Sequence, residues 1–311
     1  MHIAALMDVT VIVPTYRRPL DLARCLAALR MQRHAPTVVL VTLRDDDDEG
    51  RALTDELASS WDALRPVRVE RPGVVAAMNA ALAASTGDVV ALTDDDAEPH
   101  ADWLERIVRA FAEHPDVAGV GGRDDQAGVT GTEAVVGRLQ WFGRTIGNHH
   151  VGVGPAREVD ILKGVNCAFR LSVVRAVGFD ERLRGKGAQV HWELALCLAL
   201  RRAGWRLLYD PAIRVRHHVG VRHDEDQLHR GRFDVAPHED AVFNETLALA
   251  DHFVGARRVV LIAWTTLVGT AEAPGLVQLP RVLLREGRVA IKRWRATQRA
   301  RRAGYREAQG R

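Results

Sequence analysis

The chain has 311 residues, 47% of them hydrophobic and 27% charged, enough apolar side chain for one large domain with an appendage or for two small ones, which excludes disorder throughout. Its cysteines, Cys25, Cys167 and Cys197, are far apart and fall in no metal-ligand or redox spacing, so a reducing cytoplasm fits and a disulfide scaffold does not. The net charge of +3 is unevenly divided: from Arg281 to Arg311 eleven cations face only Glu286 and Glu307, a surplus of nine that leaves the preceding residues at −6.

The opening MHIAALMD has no basic flank and no long apolar run, so neither a signal peptide nor an amino-terminal anchor is expected. Val9 to Val13 is a β-branched run stopped by Pro14, which reads as a buried parallel strand. Asp21 is expected to cap a helix that carries Leu22, Cys25, Leu26 and Leu29 on one face. The cycle then repeats, with a strand over Thr37 to Leu43, a polar loop over Asp45 to Gly50, a helix over Ala52 to Leu64 and a short strand over Val67 to Val69. Next come an alanine-rich helix over Val74 to Ala84, closed by Gly87, and a strand from Asp88 to Leu92 that runs into Asp94, Asp95 and Asp96. A helix from Asp102 to Glu113 follows. Such alternation predicts a doubly wound, mainly parallel sheet with helices on both faces, whose ligands sit beyond the carboxyl ends of the strands, where Tyr16, Asp45 and Asp94 fall.

From Gly119 to Pro155 glycine and polar residues dominate, and long loops with at most an irregular strand pair are expected. A second ordered block places a helical turn at Val173 to Val177, a helix at Trp192 to Ala203, and short strands at Arg206 to Tyr209 and Ile213 to Val215, closed by His217. Beyond Asp240 the pattern is helical. The expected division is an α/β domain over 8–230 and a helical, basic carboxyl-terminal extension over 231–311. Val259 to Thr270 is shorter than the about 20 apolar residues a membrane helix needs, so no spanning segment is expected.

Three adjacent carboxylates at the end of a buried strand repel one another unless a cation neutralises them. Asp94 and Asp96, two apart on an extended backbone, point the same way and offer the oxygen ligands that Mg2+ or Mn2+ prefers. A solvated acidic turn that caps the next helix is the competing reading.

Five stretches, in order, resemble the family 2 glycosyltransferases with the GT-A fold, over roughly Val9 to His217. They are VIVPTYRRPLDLARCLAAL, then RPGVVAAMNAALAASTGDVVALTDDD, then AEPHADWLERI, then KGVNCAFR with VGFDERL, and last ELALCLALRRAGWRLLYDPAIRVRHH. The resemblance implies transfer of a sugar from a UDP, GDP or dTDP donor, assisted by Mn2+ or Mg2+ and inverting at the sugar, to an acceptor it leaves open: a glycan, a lipid-linked sugar or a small molecule. It implies that Pro14, Thr15 and Tyr16 contact the nucleoside, that Asn79 and Asp95 belong to the donor-binding run, that Asp94 meets ribose and metal, that Asp96 meets the metal directly, and that His217 is a late ligand. His218, adjacent, is the rival for that last place.

Two departures from the family pattern matter. Where many relatives carry an acidic pair that reads the base, this chain has Leu43, Arg44 and Asp45 to Asp48, leaving Arg44 or Asp45 as the reader. Where an acidic pair supplies the general base, this chain reads GKGAQVHWELAL, leaving Glu193, which is preferred, or His191. A catalytically inactive nucleotide-sugar-binding relative is therefore an alternative. A sugar nucleotidyltransferase fits less well, because PTYRRP has no glycine.

WFGRTIGNHHVGVG, with Trp141, Phe142, Asn148, His149 and His150, reads either as a sugar-stacking loop or as a loop packed on the core. In the basic tail Val282, Leu283, Val289, Ile291 and Trp294 form a candidate apolar face among cations. An anionic membrane surface is thus a candidate partner, and the expected location is the cytoplasm with the inner face of the membrane open to the tail; a solvated helix or a disordered tail is the competing reading. With the positive charge confined to the tail, no nucleic-acid partner is expected.

Overall fold

The β-branched run forms β1 (Val9–Pro14) in the computed structural model, which describes residues 7–218 and 233–310. Along β1 side chains alternate, so Val11 and Val13 pack on one face of the sheet and Ile12 on the other. Then follow α1 (Pro19–Arg30), β2 (Val38–Arg44), α2 (Asp48–Ala58), β3 (Leu64–Val69), α3 (Val74–Ala84), β4 (Val89–Leu92), β5 (Ala97–Pro99) and α4 (Trp103–Glu113). Helix α1 buries Leu22, Cys25, Leu26 and Leu29, as its spacing predicts. Asp21 is not its cap, however; it lies inside the first turn and pairs with Arg24, while Arg18 holds the cap position. The second helix also differs from expectation. Asp47 caps it through a 3.0 Å bond from the Gly50 N–H, so it starts within the acidic run, and it ends at Ala58, leaving Leu64 to open β3.

The remaining elements are β6 (Val117–Gln126), β7 (Arg138–Leu139), β8 (Thr145–Ile146), β9 (Arg157–Val159), β10 (Cys167–Arg170), α5 (Leu171–Val177), α6 (Trp192–Arg202), β11 (Arg206–His217), α7 (Val235–His252), α8 (Gly255–Leu267), α9 (Leu279–Glu286) and α10 (Arg288–Glu307). The main sheet has the order β3-β2-β1-β4-β10-β6-β11-β5, with β9 also on β11. It is parallel at β1, β2, β3 and β4 and between β6 and β11, and antiparallel where β10, β5 and β9 join.

The glycine-rich segment does run in loops from Ala127 on, but its first eight residues belong to the ten-residue strand β6. Its glycines are spaces that neighbours fill: a Cβ on Gly119 would stand 2.8 Å from Phe169 and Leu207, and one on Gly122 1.9 Å from the Ile213 carbonyl. The expected strand pair does form, as β7 with β8. The two short strands expected after α6 are one strand, interrupted by an irregularity between Asp210 and Arg214.

Helices α1 and α4 cover one face of the sheet; α3 and α6 cover the other, where Phe243 and Leu247 of α7 and Ala300 of α10 join Trp192 and Leu196 in the same core. The division expected at Gly231 lies outside the described residues. Among the described residues no helix is long and apolar enough to cross a membrane.

Arg301 ties the terminal helices together. Buried in α10, it donates to the Thr265 carbonyl and, at 2.7 Å, to that of Ala273. Arg301→Met keeps the stem but orphans two carbonyls, and thermal or urea unfolding is expected to show a loss of about 1–3 kcal/mol.

Candidate functional site

Beyond β4 the chain is not extended through the triplet, as the sequence suggests, but enters a turn closed by the Ala97 N–H on the Asp94 carbonyl at 3.2 Å, and this turn separates Asp95 from Asp94 and Asp96. Asp95 points inward and is fully buried, accepting from the Thr15 hydroxyl at 2.6 Å and from Arg18 Nε at 3.0 Å. Asp94 and Asp96 converge with His217, at the end of β11, and the three ligand atoms lie within 4.8 Å of one another. His217 arrives there because β11 pairs with β5 and β6, opposite Ala97 and Gln126. The adjacent histidines point to different partners: His217 Nε2 is 3.3 Å from Asp96 Oδ1, whereas His218 Nε2 is 2.6 Å from Glu98.

Arg18 supplies charge that the sequence reading missed. Its guanidinium pairs with Asp95 and, at 3.1 Å, with Asp96. Repulsion within the aspartate triplet therefore does not by itself demand a metal ion. Burial pushes the Asp95 carboxyl up to about 7, although Arg18 and Thr15 act to lower it. Burial would lower the His217 imidazole, but its bonds to Asp124 and Asp96 win and raise it to about 9. Asp124 is buried, which alone would raise it, yet the bond from His217 and the charge of Lys163 at 2.6 Å hold it well below the usual carboxylate range.

The donor set itself makes the case for a metal. Two carboxylates and an imidazole suit Mn2+ or Mg2+, with the imidazole favouring Mn2+. His217 Nδ1 donates to Asp124 at 3.4 Å, which turns Nε2 toward Asp96, the arrangement by which a carboxylate orients a metal-binding histidine. The residues present fit the ion. Asp124 and Lys163 escaped the sequence reading because one sits in a run disguised by glycines and the other opens the KGVNCAFR stretch.

Next to this cluster, Pro14 ends β1 opposite Thr42 and hands the chain to Tyr16. The Tyr16 ring lies 4.3 Å from the Arg44 guanidinium carbon, and its hydroxyl donates to Asp46 at 2.9 Å. Tyr16 and Arg44 are thus brought together, but Asp46, not Asp45, completes the group; Asp45 is exposed after β2. Asp47 is no loose loop residue either. It is buried and accepts from the Arg17 N–H at 2.7 Å, holding Arg17 at φ 56°.

The start of α6 carries His191 and Glu193. His191 occupies the cap at φ 76°, and Glu193 lies in the first turn, partly buried. Neither belongs to the three-ligand group. The loop before them is pinned by Gln189, whose Nε2 donates to Leu183 O at 2.8 Å and whose Oε1 accepts from Val75 N at 2.9 Å. Gly73 makes room for it, since a Cβ there would stand 2.4 Å from that oxygen. Asn79, expected on the donor, is committed to structure instead: its amide bonds both the carbonyl and the N–H of Phe179, at 2.9 and 3.1 Å, fastening the VGFDERL turn to α3.

Most of the aromatic loop packs inward. Phe142 packs tilted against Trp264 of α8, ring centres 5.2 Å apart, and Asn148 donates to the Val135 carbonyl, leaving Trp141, 60% exposed, as its open aromatic. His149 is buried and donates to the Ile161 carbonyl at 2.9 Å; burial lowers it to about 4, against the hydrogen bond's opposite effect. The unfolded chain takes up this proton near pH 6.5 and the fold only near 4, so stability falls as pH drops through that window. Urea unfolding is expected to show about 2 kcal/mol lost at this site between pH 7 and 5, a dependence that His149→Gln removes.

The family described as Glycosyl transferase family 2 matches residues 10–175. A glucosyl-dolichyl phosphate glucuronosyltransferase of Haloferax volcanii is 27% identical over 220 residues, which are 68% of this chain and 69% of that protein. A pre-mycofactocin glycosyltransferase of Mycobacterium tuberculosis is 32% identical over 220 residues, again 68% of this chain but 42% of the relative, so the likeness spans less than half of that protein. Among solved structures, the mannosyltransferase PcManGT from Pyrobaculum calidifontis, in complex with GDP-Man and Mn2+, has a TM-score of 0.56 at 20% identity, over 97% of this chain and 87% of that one; at this identity the likeness speaks for the GT-A fold alone.

Proposed function

Because the chain belongs to glycosyltransferase family 2 and is a glycosyltransferase with the GT-A fold, we propose that it transfers a sugar from a nucleoside-diphosphate donor, with inversion and with the help of a divalent cation. The observation that carries this is the convergence of Asp94, Asp96 and His217 at the carboxyl ends of β4 and β11. The GDP-Man and Mn2+ held in complex by the archaeal mannosyltransferase support it.

In this reading the nucleoside lies against Tyr16 and Arg44, with Asp46 or Asp45 at the base. Asp94, Asp96 and His217 hold the cation, Mn2+ or Mg2+, which supplies charge for the departing diphosphate. Thr15, Asp95 and Arg18 act behind them by fixing the backbone from which Asp94 and Asp96 project. Glu193 takes the proton from the acceptor hydroxyl, with His191 as the rival base. The donor is a UDP-, GDP- or dTDP-sugar. The lipid-linked sugar in the name of the Haloferax relative supports a lipid-linked acceptor as the first class to try.

The direct test is to incubate the protein with Mn2+ and UDP-, GDP- and dTDP-sugars and to measure release of nucleoside diphosphate. Slow hydrolysis of one donor, without acceptor, is expected; release from none of them, with or without lipid-linked acceptors, overturns the proposal. Asp124→Asn tests the orientation of His217. Titration with Mn2+, followed by the electron paramagnetic resonance of the free ion, is expected to show affinity about 10–100-fold weaker, and unchanged affinity would detach Asp124 from the site.

A further inference from the structure

Helix α8 has apolar side chains on both of its sides. Leu261 and Thr265 face inward, with Leu261 packed beside Phe253. On the outer side Val259, Ile262, Ala263 and Leu267, spaced three and four residues apart, form a second stripe, with Val259 67% and Leu267 50% exposed. The stripe continues past the helix end, where Leu276 N donates to Thr266 O at 3.0 Å and Val277 N to Leu267 O at 2.7 Å, laying both exposed residues along α8. On α9, Leu284 is 91% exposed. No carboxylate occurs between His252 and Glu272. A continuous aliphatic face of this kind is uncommon on a protein surrounded only by water.

Beside it lies a row of cations. Arg288, Lys292, Arg295, Arg299, Arg302 and Arg306 are all exposed and recur at helical spacing along one side of α10. A groove of about 420 Å³, lined by Thr266 and Leu276 on one side and by Trp294, Arg295, Arg299 and Arg302 on the other, joins the aliphatic stripe to this row. Most of the apolar part of the face therefore comes from α8, and of the tail positions that the sequence singled out Trp294 lines the groove while Val289 and Ile291 are exposed. Gly287, at φ 57°, breaks the tail into α9 and α10, and Val282 is buried.

We infer that this face docks on an anionic phospholipid bilayer, with the α8 stripe at the acyl boundary and the α10 row against the headgroup phosphates. Cations alone would suit any polyanion. The adjoining aliphatic side chains gain by leaving water only in a partner with an apolar interior, which favours lipid over nucleic acid. The inference rests on the surface and is independent of the donor site, so the two fail separately.

The test is co-sedimentation of the full chain with vesicles of phosphatidylcholine containing about one-third phosphatidylglycerol, with pure phosphatidylcholine vesicles as reference. The wild type is expected to bind the anionic vesicles at least about tenfold more tightly, and Val259→Glu/Leu267→Glu and Arg295→Glu/Arg302→Glu each to lose at least about tenfold. All of these positions are exposed, so melting temperature and nucleotide binding are expected to stay unchanged in both variants. No binding to anionic vesicles, or binding that survives Val259→Glu/Leu267→Glu, overturns the inference. So does a dimer in analytical ultracentrifugation that the same variant dissociates, because the stripe would then be covered by a second copy of the chain.

Discussion

Glu193→Gln is expected to lower the transfer rate about 10²–10⁴-fold while leaving the affinity for the donor nucleotide within about twofold. The substitution keeps the shape and one hydrogen-bonding oxygen of the side chain, replaces the other by an NH2 donor, and removes the negative charge and with it the capacity to accept a proton. Glu193 stands in the first turn of α6, on a segment that Gln189 and the Val74–Gly187 backbone bond hold against α3, so the loss is not expected to come from a displaced loop. His191→Asn is the matched control, since asparagine tolerates the left-handed conformation at φ 76°. Single-turnover rates and calorimetric affinities separate the two. A larger rate loss in His191→Asn than in Glu193→Gln would transfer the role of base to the imidazole.

Asp96→Ala is expected to abolish metal-dependent donor binding and to reduce transfer by about 10²–10³-fold, the scale seen when a group that stabilises developing charge is removed. Asp96 meets three demands at once: it is one of the convergent donors, it faces His217 Nε2 at 3.3 Å, and it takes a bond from Arg18 at 3.1 Å. Its removal leaves the Arg18 guanidinium without one of its carboxylates, so unfolding must be measured alongside. A folded Asp96→Ala protein that still binds the nucleotide diphosphate with unchanged metal dependence would place the cation elsewhere.

Much of this was readable from residue order, for reasons that differ along the chain. The strands β1, β2 and β4 are β-branched runs buried on both faces, and α3 begins and ends where its alanine-rich pattern does. The metal-ligand candidates were legible because paired carboxylates at a strand end carry chemistry in their spacing, and because the resemblance extended to His217. What stayed hidden depends on distant partners. β6 looks like a loop because its glycines acquire their meaning only against Phe169, Leu207 and Ile213. Asn79 has the composition of a ligand-binding residue, and only the fold shows its amide closing on Phe179, one hundred residues away. Arg18 was passed over as one of two adjacent arginines, and nothing local distinguishes it from Arg17; the inward turn of Asp95 does. The run that forms α8 is too short to span a membrane, and its outward stripe emerges only once the fold turns Leu261 and Thr265 inward.

The central claim, that Asp94, Asp96 and His217 form a cation-dependent nucleotide site, is tested most directly by calorimetric titration of UDP, GDP and dTDP into the wild-type protein with and without Mn2+. One of the three is expected to bind selectively and at least about tenfold more tightly with the ion present, because the cation shares the charge of the diphosphate. Failure of all three to bind, or binding indifferent to Mn2+, would contradict it.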